Sequence, residues 1–206
     1  MTRLNTFQPV AFAAAVVVMS FLSVPSFAQP VAESPAATPA GTVTTFHRKS
    51  SGSLGTFDGP VVWTFTHATW EGRPAVIQMA RLGGSAFDPK THANMATLDA
   101  EGKATMVFDP PVGFQWPMQV GKTWTSKHTV TTPATGRSVP LEVNWKVEAW
   151  EDVTVPAGTY KAYKVVTTNN FGEVETRWTA PAAGIVLAKR LVTRPASHPQ
   201  GAGELE

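Results

Sequence analysis

No cysteine occurs anywhere in the 206 residues, which excludes disulfides, thiolate metal sites and a lipidated cysteine anchor. Charge is scarce: Asp, Glu, Lys and Arg make up 16%, with 17 basic against 15 acidic residues scattered singly. Without basic blocks there is no footprint for nucleic acid or for an anionic membrane surface. Long apolar runs are missing too. The one candidate, Val10 to Leu22, falls short of the roughly 18 residues a spanning helix needs, so no transmembrane segment is expected in the mature chain. Helical periodicity is absent from the body of the chain, where only "FDPKTHANM" offers room for a short helical turn.

The recognisable catalytic patterns are missing as well. His47, His67, His92, His128 and His198 form no His-x-His, His-x-x-x-His or His-Glu-x-x-His spacing, so no metal ligand set is expected. There is no Gly-x-Ser-x-Gly elbow, and Ser50, Ser51 and Ser53 lie in a Gly/Ser turn. "LGGSAFDP" reads as a turn, because nothing around it supplies the strand–loop–helix context of a phosphate loop. Asp88, Asp99, Asp109 and Asp152 sit at turns, where their side chains serve the backbone. No catalytic residue and no cofactor site is assigned. His67 and His128, on expected strands near tryptophans, are the histidines most worth following.

What is present begins with an N-terminal export pattern. Arg3 gives a positive start, Val10 to Leu22 an apolar stretch, and Ser26-Phe27-Ala28 a small-x-small cleavage site. Residues 1–28 are expected to be a cleavable signal peptide. An exported chain without disulfides fits a bacterial periplasm best, with secretion beyond the outer membrane as the alternative. Residues 29–42, "QPVAESPAATPAGT", read as a Pro/Ala-rich disordered spacer, and residues 194–206 as a disordered tail. A single domain over residues 43–193 remains.

That domain reads as all-β. Val, Thr, Trp and Phe dominate, and turn signals recur about every ten residues. "VVWTFTHATW" and "AVIQMARL" flank "EGRP", "NMATL" and "KATMVF" flank "DAEG", and "TWTSKHTVTT" is closed by "PATG". "SVPLEVNWKVEAW" places Val139, Leu141, Val143, Trp145, Val147 and Ala149 on one face and polar residues on the other. "KAYKVVTT", "EVETRWTA" and "GIVLAKRLV" follow. Short polar turns require antiparallel pairing, so the expectation is a single antiparallel β-sandwich or strongly curved half-barrel of about eight or nine strands.

Three segments, "PVGFQWPMQVGKTWTS", "VEAWEDVTVPAGTYKAYKVV" and "TRWTAPAAGIVLAKR", occur in that order over Pro111 to Arg190. Together they resemble an exported bacterial family catalogued as domain of unknown function 3108. That family has a Pro-x-x-x-Gly-Lys-x-Trp approach to a strand, then Val-Pro-Ala-Gly-Thr-aromatic, then an aromatic-x-Ala-Pro-x-x-Gly segment. Thr179 departs from it, standing where a second aromatic residue is frequent. The resemblance implies an antiparallel all-β module of the cell envelope and carries over no catalytic residue. Within it, "EDVTVPAGTYKAYKVVTTN" reads as a sheet corner, since Pro156 cannot donate to a ladder and Gly158 can turn it.

Seven tryptophans are the unusual feature of the composition. Aromatics on a concave sheet can hold an acyl chain or stack on sugar rings, and Phe114, Trp116, Trp124 and Trp178 are the candidate ligand-binding residues. Trp63, Trp124, Trp145 and Trp178 read first as core, because tryptophan is highly buried on average, whereas Trp116 in its loop reads as readily as a binding residue. Arg177, alternating with Glu173 and Glu175, reads as a solvated ion-paired face rather than an anion site. The leading functional expectation is therefore a binding module. It would hold an apolar or amphipathic ligand, or a partner protein, on a curved antiparallel sheet. A structural or assembly subunit of an envelope complex is the alternative, and a polysaccharide- or peptide-acting enzyme the third. Lipid, glycan or envelope protein are the partners considered, and nucleic acid is not.

Overall fold

The protein's structure, a computed structural model, describes residues 30–206; the expected signal peptide and Gln29 lie outside the described residues. The turn-separated β runs become twelve strands: β1 (Val43–Gly52), β2 (Phe57–Trp70), β3 (Arg73–Ala80), β4 (Gly83–Phe87), β5 (Asn94–Leu98), β6 (Ala104–Val112), β7 (Thr123–Thr132), β8 (Arg137–Val155), β9 (Gly158–Asn169), β10 (Val174–Ala180), β11 (Ile185–Arg194) and β12 (Gly203–Leu205). Each pairs antiparallel with its chain neighbours, and β12 pairs with β1, so the sheet closes into a ring. Among the described residues there is one 3₁₀ turn, Pro181–Ala183, and no helix long and apolar enough to cross a membrane.

The count of eight or nine strands is thus corrected to twelve, and the three strands missed are instructive. β4 was expected to be a turn because of Gly83 and Gly84. A Cβ on Gly84 would lie 2.0 Å from the Gln78 carbonyl oxygen, so the glycine marks a close backbone approach inside the ladder. β1 and β12 are the strands that close the ring. Ser50 faces Leu205, and Lys49 and Glu206 exchange two backbone hydrogen bonds of 2.8 Å. The end of the expected disordered tail is therefore part of the wall.

β8 shows how the sequence pattern is realised. Val143, Trp145 and Val147 are buried on one face while Asn144, Lys146 and Glu148 are exposed on the other. A register shift between Val147 and Ala149 then changes the phase, so that Trp150, not Ala149, faces Tyr163 across the ladder. The expected corner after Glu151 is corrected as well. β8 continues unbroken to Val155, turns on Pro156-Ala157, and returns at Gly158 (φ +138°), with Val155 opposite Gly158. Period two survives the bulge, so the stretch is a hairpin.

Following the register around the ring sorts the side chains into an inner and an outer face. The inner face carries Val61, Phe65, Val76, Val130, Trp145, Val165 and Val192, all buried. It also carries Arg48, Glu175, Arg177 and Arg190. Around eight strands give a barrel whose side chains just fill it, and a ring of twelve is wider. Its lumen is accordingly not sealed: the inward Arg177 and Arg190 side chains keep 29% and 41% of their surface accessible.

Residues 30–41, expected to be a disordered spacer, form a strap across one end of the barrel. The Tyr163 hydroxyl on β9 donates to the Pro30 carbonyl at 2.6 Å, and Ala32 and Met118 exchange backbone hydrogen bonds of 3.0 and 2.7 Å. At its far end His67 on β2 bonds the Thr38 carbonyl at 2.8 Å, and Gly41 donates to Phe65. β2 and β9 stand five steps apart one way round the ring and seven the other, so the strap runs nearly across a diameter. A Pro/Ala-rich chain cannot make a regular ladder, but its carbonyls can accept from side chains on both rims.

Candidate functional site

The site begins where two strands part. β7 pairs with β8 along its whole length, Thr123 to Thr132, but with β6 only through Val107, Phe108 and Asp109. Pro110 and Pro111 follow immediately, and neither has an N–H to continue the ladder. β6 therefore leaves β7, and a side cleft of about 450 Å³ opens between them, lined by Pro110, Pro111, Phe114, Trp124, Ser126 and His128 among others.

His128 spans the lower end of this cleft. It is 7% exposed and contacts the Pro110 carbonyl through Nδ1 and Ser126 Oγ through Nε2, each at 2.7 Å. A carbonyl can only accept, so Nδ1 carries the proton, and Nε2 takes the hydrogen bond donated by the Ser126 hydroxyl. Ser126 Oγ in turn accepts from the indole N–H of Trp145 at 2.9 Å. The Ser126–His128 contact has the form of a nucleophile–base pair. Among the described residues, however, no carboxylate bonds His128, and the serine oxygen is engaged by Trp145. We read the trio as a staple that fixes how far β6 and β7 separate. His128→Ala should lower stability by about 1–3 kcal/mol, because the serine and the carbonyl lose their partner. Urea unfolding measures it, and an unchanged midpoint would show that the staple carries no strain.

Above the staple stands an aromatic wall. Trp124 stacks on Trp145 (centroids 5.2 Å apart, planes at 8°), Phe114 meets Trp145 edge-on at 5.7 Å, and Trp116 meets Phe114 at 6.0 Å. Lys122, the lysine of the Gly-Lys motif, pins the loop that carries them. Its ammonium donates to the Gln115 and Pro117 carbonyls at 2.8 and 2.7 Å and lies 5.6 Å from the Trp124 ring. The structure thus brings together three of the four candidate ligand-binding residues, Phe114, Trp116 and Trp124, through the unforeseen Trp145. Trp178 is placed elsewhere. It shares the outer face with Lys164, packs in a cluster with Val153, Ala162, Ala180 and Ala188, and donates to Glu151 at 2.8 Å.

Behind the wall the lumen is charged, which corrects the reading of Arg177 and Glu175 as a solvated face. The Glu175 side chain is 10% accessible and accepts hydrogen bonds from both Arg177 and Arg190. Burial alone would raise its pKa. The two guanidinium charges and their hydrogen bonds outweigh that and hold the carboxyl down at about 2. Arg177 also lies over Phe114, its guanidinium carbon 5.9 Å from the ring centroid, so the charged cluster begins where the aromatic wall ends. Alternation of Arg and Glu on one strand cannot by itself say which face of a closed sheet it lines.

Four polar atoms at this end of the barrel are buried without a partner among the described residues: Trp124 Nε1, Asn94 Oδ1, His92 Nε2 and Thr38 Oγ1. His92 stacks on Phe87 at 4.6 Å and borders a smaller cavity of about 220 Å³ beneath the strap. Its pKa is lowered to about 4, by burial first and also by the nearby Arg177 charge, so the ring is neutral. Buried groups left unpaired are uncommon; here His92 and Thr38 border the cavity beneath the strap and Trp124 belongs to the β6–β7 cleft.

Fold and site together define a ring-closed antiparallel β-barrel with a strapped end, a side cleft and a cationic lumen. No protein-family model, no curated protein and no solved structure matches the chain.

Proposed function

We propose that this protein is a non-enzymatic binding barrel of the bacterial envelope that takes up an amphipathic ligand through the β6–β7 cleft. The observation that carries the reading is the cleft itself. About 450 Å³ is walled by Phe114, Trp124, Pro110 and Pro111, with Ser126, His128, Arg73 and Asp88 as its polar lining. Such a mostly apolar concavity with a few convergent polar groups is the usual make-up of a small-molecule site. The lining favours a lipid-like chain over a sugar, since Trp124 is stacked on Trp145 and offers no free platform pair. The export pattern of residues 1–28 and the resemblance of Pro111 to Arg190 to the exported family support a periplasmic location. Cleavage after Ala28 would leave a mature chain that starts one residue before Pro30.

Titration of the purified protein with 11-(dansylamino)undecanoic acid tests the reading. Saturable, blue-shifted emission at one probe per chain is expected, and Trp124→Ala should weaken it about tenfold or more, as loss of an aromatic contact implies. Urea unfolding of the same variant separates lost binding from lost fold. Emission that rises linearly without saturation would overturn the proposal and turn attention to an assembly role.

A further inference from the structure

The lumen holds more positive charge than it neutralises. Arg177 and Arg190 share the single carboxylate of Glu175. Arg48, on β1, faces the same lumen and has no carboxylate partner among the described residues. It donates to Ser50 Oγ at 3.1 Å and to the Leu54 carbonyl at 2.7 Å. Those contacts hold the side chain in place without cancelling its charge. The three guanidiniums form one group: Arg190 joins Arg177 through Glu175, and Ser50 and Val192 both face Leu205, so Arg48 and Arg190, two residues earlier on β1 and β11, stand at one level of the inner face on either side of β12. The other acid–base pair nearby, Arg194 with Glu173, is already balanced. Three cations against one anion leave an excess of two positive charges inside the ring.

Such an excess is costly for a protein to keep in a partly desolvated space without an anion to meet it. Arginine also presents planar pairs of N–H donors that suit a carboxylate or phosphate better than lysine does. The cluster lies behind the aromatic wall, with Phe114 under Arg177 marking the boundary. The cleft is lined by Arg73 and Asp88 as well as by the aromatic wall, and the Arg177 end of the cluster lies on the far side of Phe114.

We propose that the Arg48–Arg177–Arg190 cluster binds the anionic head group of the ligand, a carboxylate, while its apolar chain lies along Phe114 and Trp124. This assignment rests on the binding-barrel reading and specifies which end of the ligand enters the lumen. Arg190 and Arg177 remain tied to Glu175, and Arg48, held by Ser50 and Leu54 through Nε and Nη2, keeps its Nη1 donors for the head group.

The experiment compares 11-(dansylamino)undecanoic acid with its methyl ester, which has the same chain and fluorophore but no charge. The acid is expected to bind at least about tenfold more tightly than the ester, the scale of a charged hydrogen bond. Arg48→Gln should reduce acid binding about tenfold and leave ester binding unchanged, and Arg48→Lys should recover part of the difference. Equal binding of acid and ester by the unmodified protein would overturn the head-group assignment while leaving the barrel reading intact. Saturable binding of neither probe would overturn both. Millimolar inorganic phosphate is expected to displace the acid but not the ester; saturable phosphate binding that needs Arg48, with no saturable binding of the acid, would show that the cluster serves small free anions and overturn the amphipath assignment. The comparison on the unmodified protein decides the matter even if Arg48→Gln does not fold.

Discussion

Glu175→Gln is expected to cost about 3 kcal/mol of folding stability at neutral pH, the largest loss of any single polar substitution in this barrel. The carboxylate is 10% accessible and is the shared partner of Arg177 and Arg190. Glutamine keeps the shape and one acceptor oxygen but removes the charge, leaving two guanidiniums facing each other inside the ring. Breaking a fully buried pair usually costs 3–5 kcal/mol, and the lower end applies here because water reaches the Arg190 side chain. The pH dependence carries the signature. The carboxyl titrates from its ordinary value near 4.5 in the unfolded chain and from about 2 in the barrel. As acid is added, the unfolded chain takes up the proton first. The stabilisation is therefore complete above about 4.5 and is lost as pH falls through about 2. Urea midpoints measured from pH 6 down to pH 2.5 should show the gap between native and Glu175→Gln protein narrowing with acid. A gap that stays constant would mean that the carboxylate acts through packing alone.

This charge arrangement also marks the limit of what alternation can reveal. Strand positions were legible wherever a run of β-formers was bounded by turn residues: the Glu71-Gly72, Thr132–Gly136 and Asp99–Lys103 turns all fall where their sequence signals stand. Closure was not legible. It depends on β1, a Ser/Thr-rich strand, and on three residues of a Gly/Pro-rich tail, neither of which has an apolar face to advertise it. Once the ring closes, inside and outside replace buried and exposed as the two faces. An Arg-Glu alternation that would be wet on an open sheet then becomes lumenal. The wall of aromatics was visible as a cluster in "GFQWP" and "TWTS", with His128 following on the same strand, but Trp145 comes to it from β8, through a register no local pattern states. The proline pair that opens the cleft was present in "FDPPVG". Its effect follows from missing donors on one strand edge, a signal that composition holds and periodicity does not.

Removing residues 30–39, most of the strap, should accelerate release of a bound amphipath by about tenfold or more and destabilise the empty barrel by about 2–4 kcal/mol. The stability term comes from what the strap covers. Met118 is fully buried with Ala32 packed against its cluster, and burying a side chain of that size contributes about 1.5–3 kcal/mol. The Tyr163 hydroxyl would lose its Pro30 acceptor, and the His67 ring its Thr38 carbonyl. With the strap gone, water can reach both groups and replace part of the loss, which keeps the total modest. The kinetic term follows from position. The strap joins β9 to β2 across the end of the barrel and forms one side of the cavity lined by Ala36, Thr38, His67 and His92. With that end open, a ligand held in the lumen gains a second way out that bypasses the cleft between β6 and β7. Stopped-flow displacement of the dansyl probe from the intact and shortened chains measures the rate directly. A shortened chain that unfolds more easily yet releases the probe at the same rate would confine the strap to a structural role and leave the cleft as the only route.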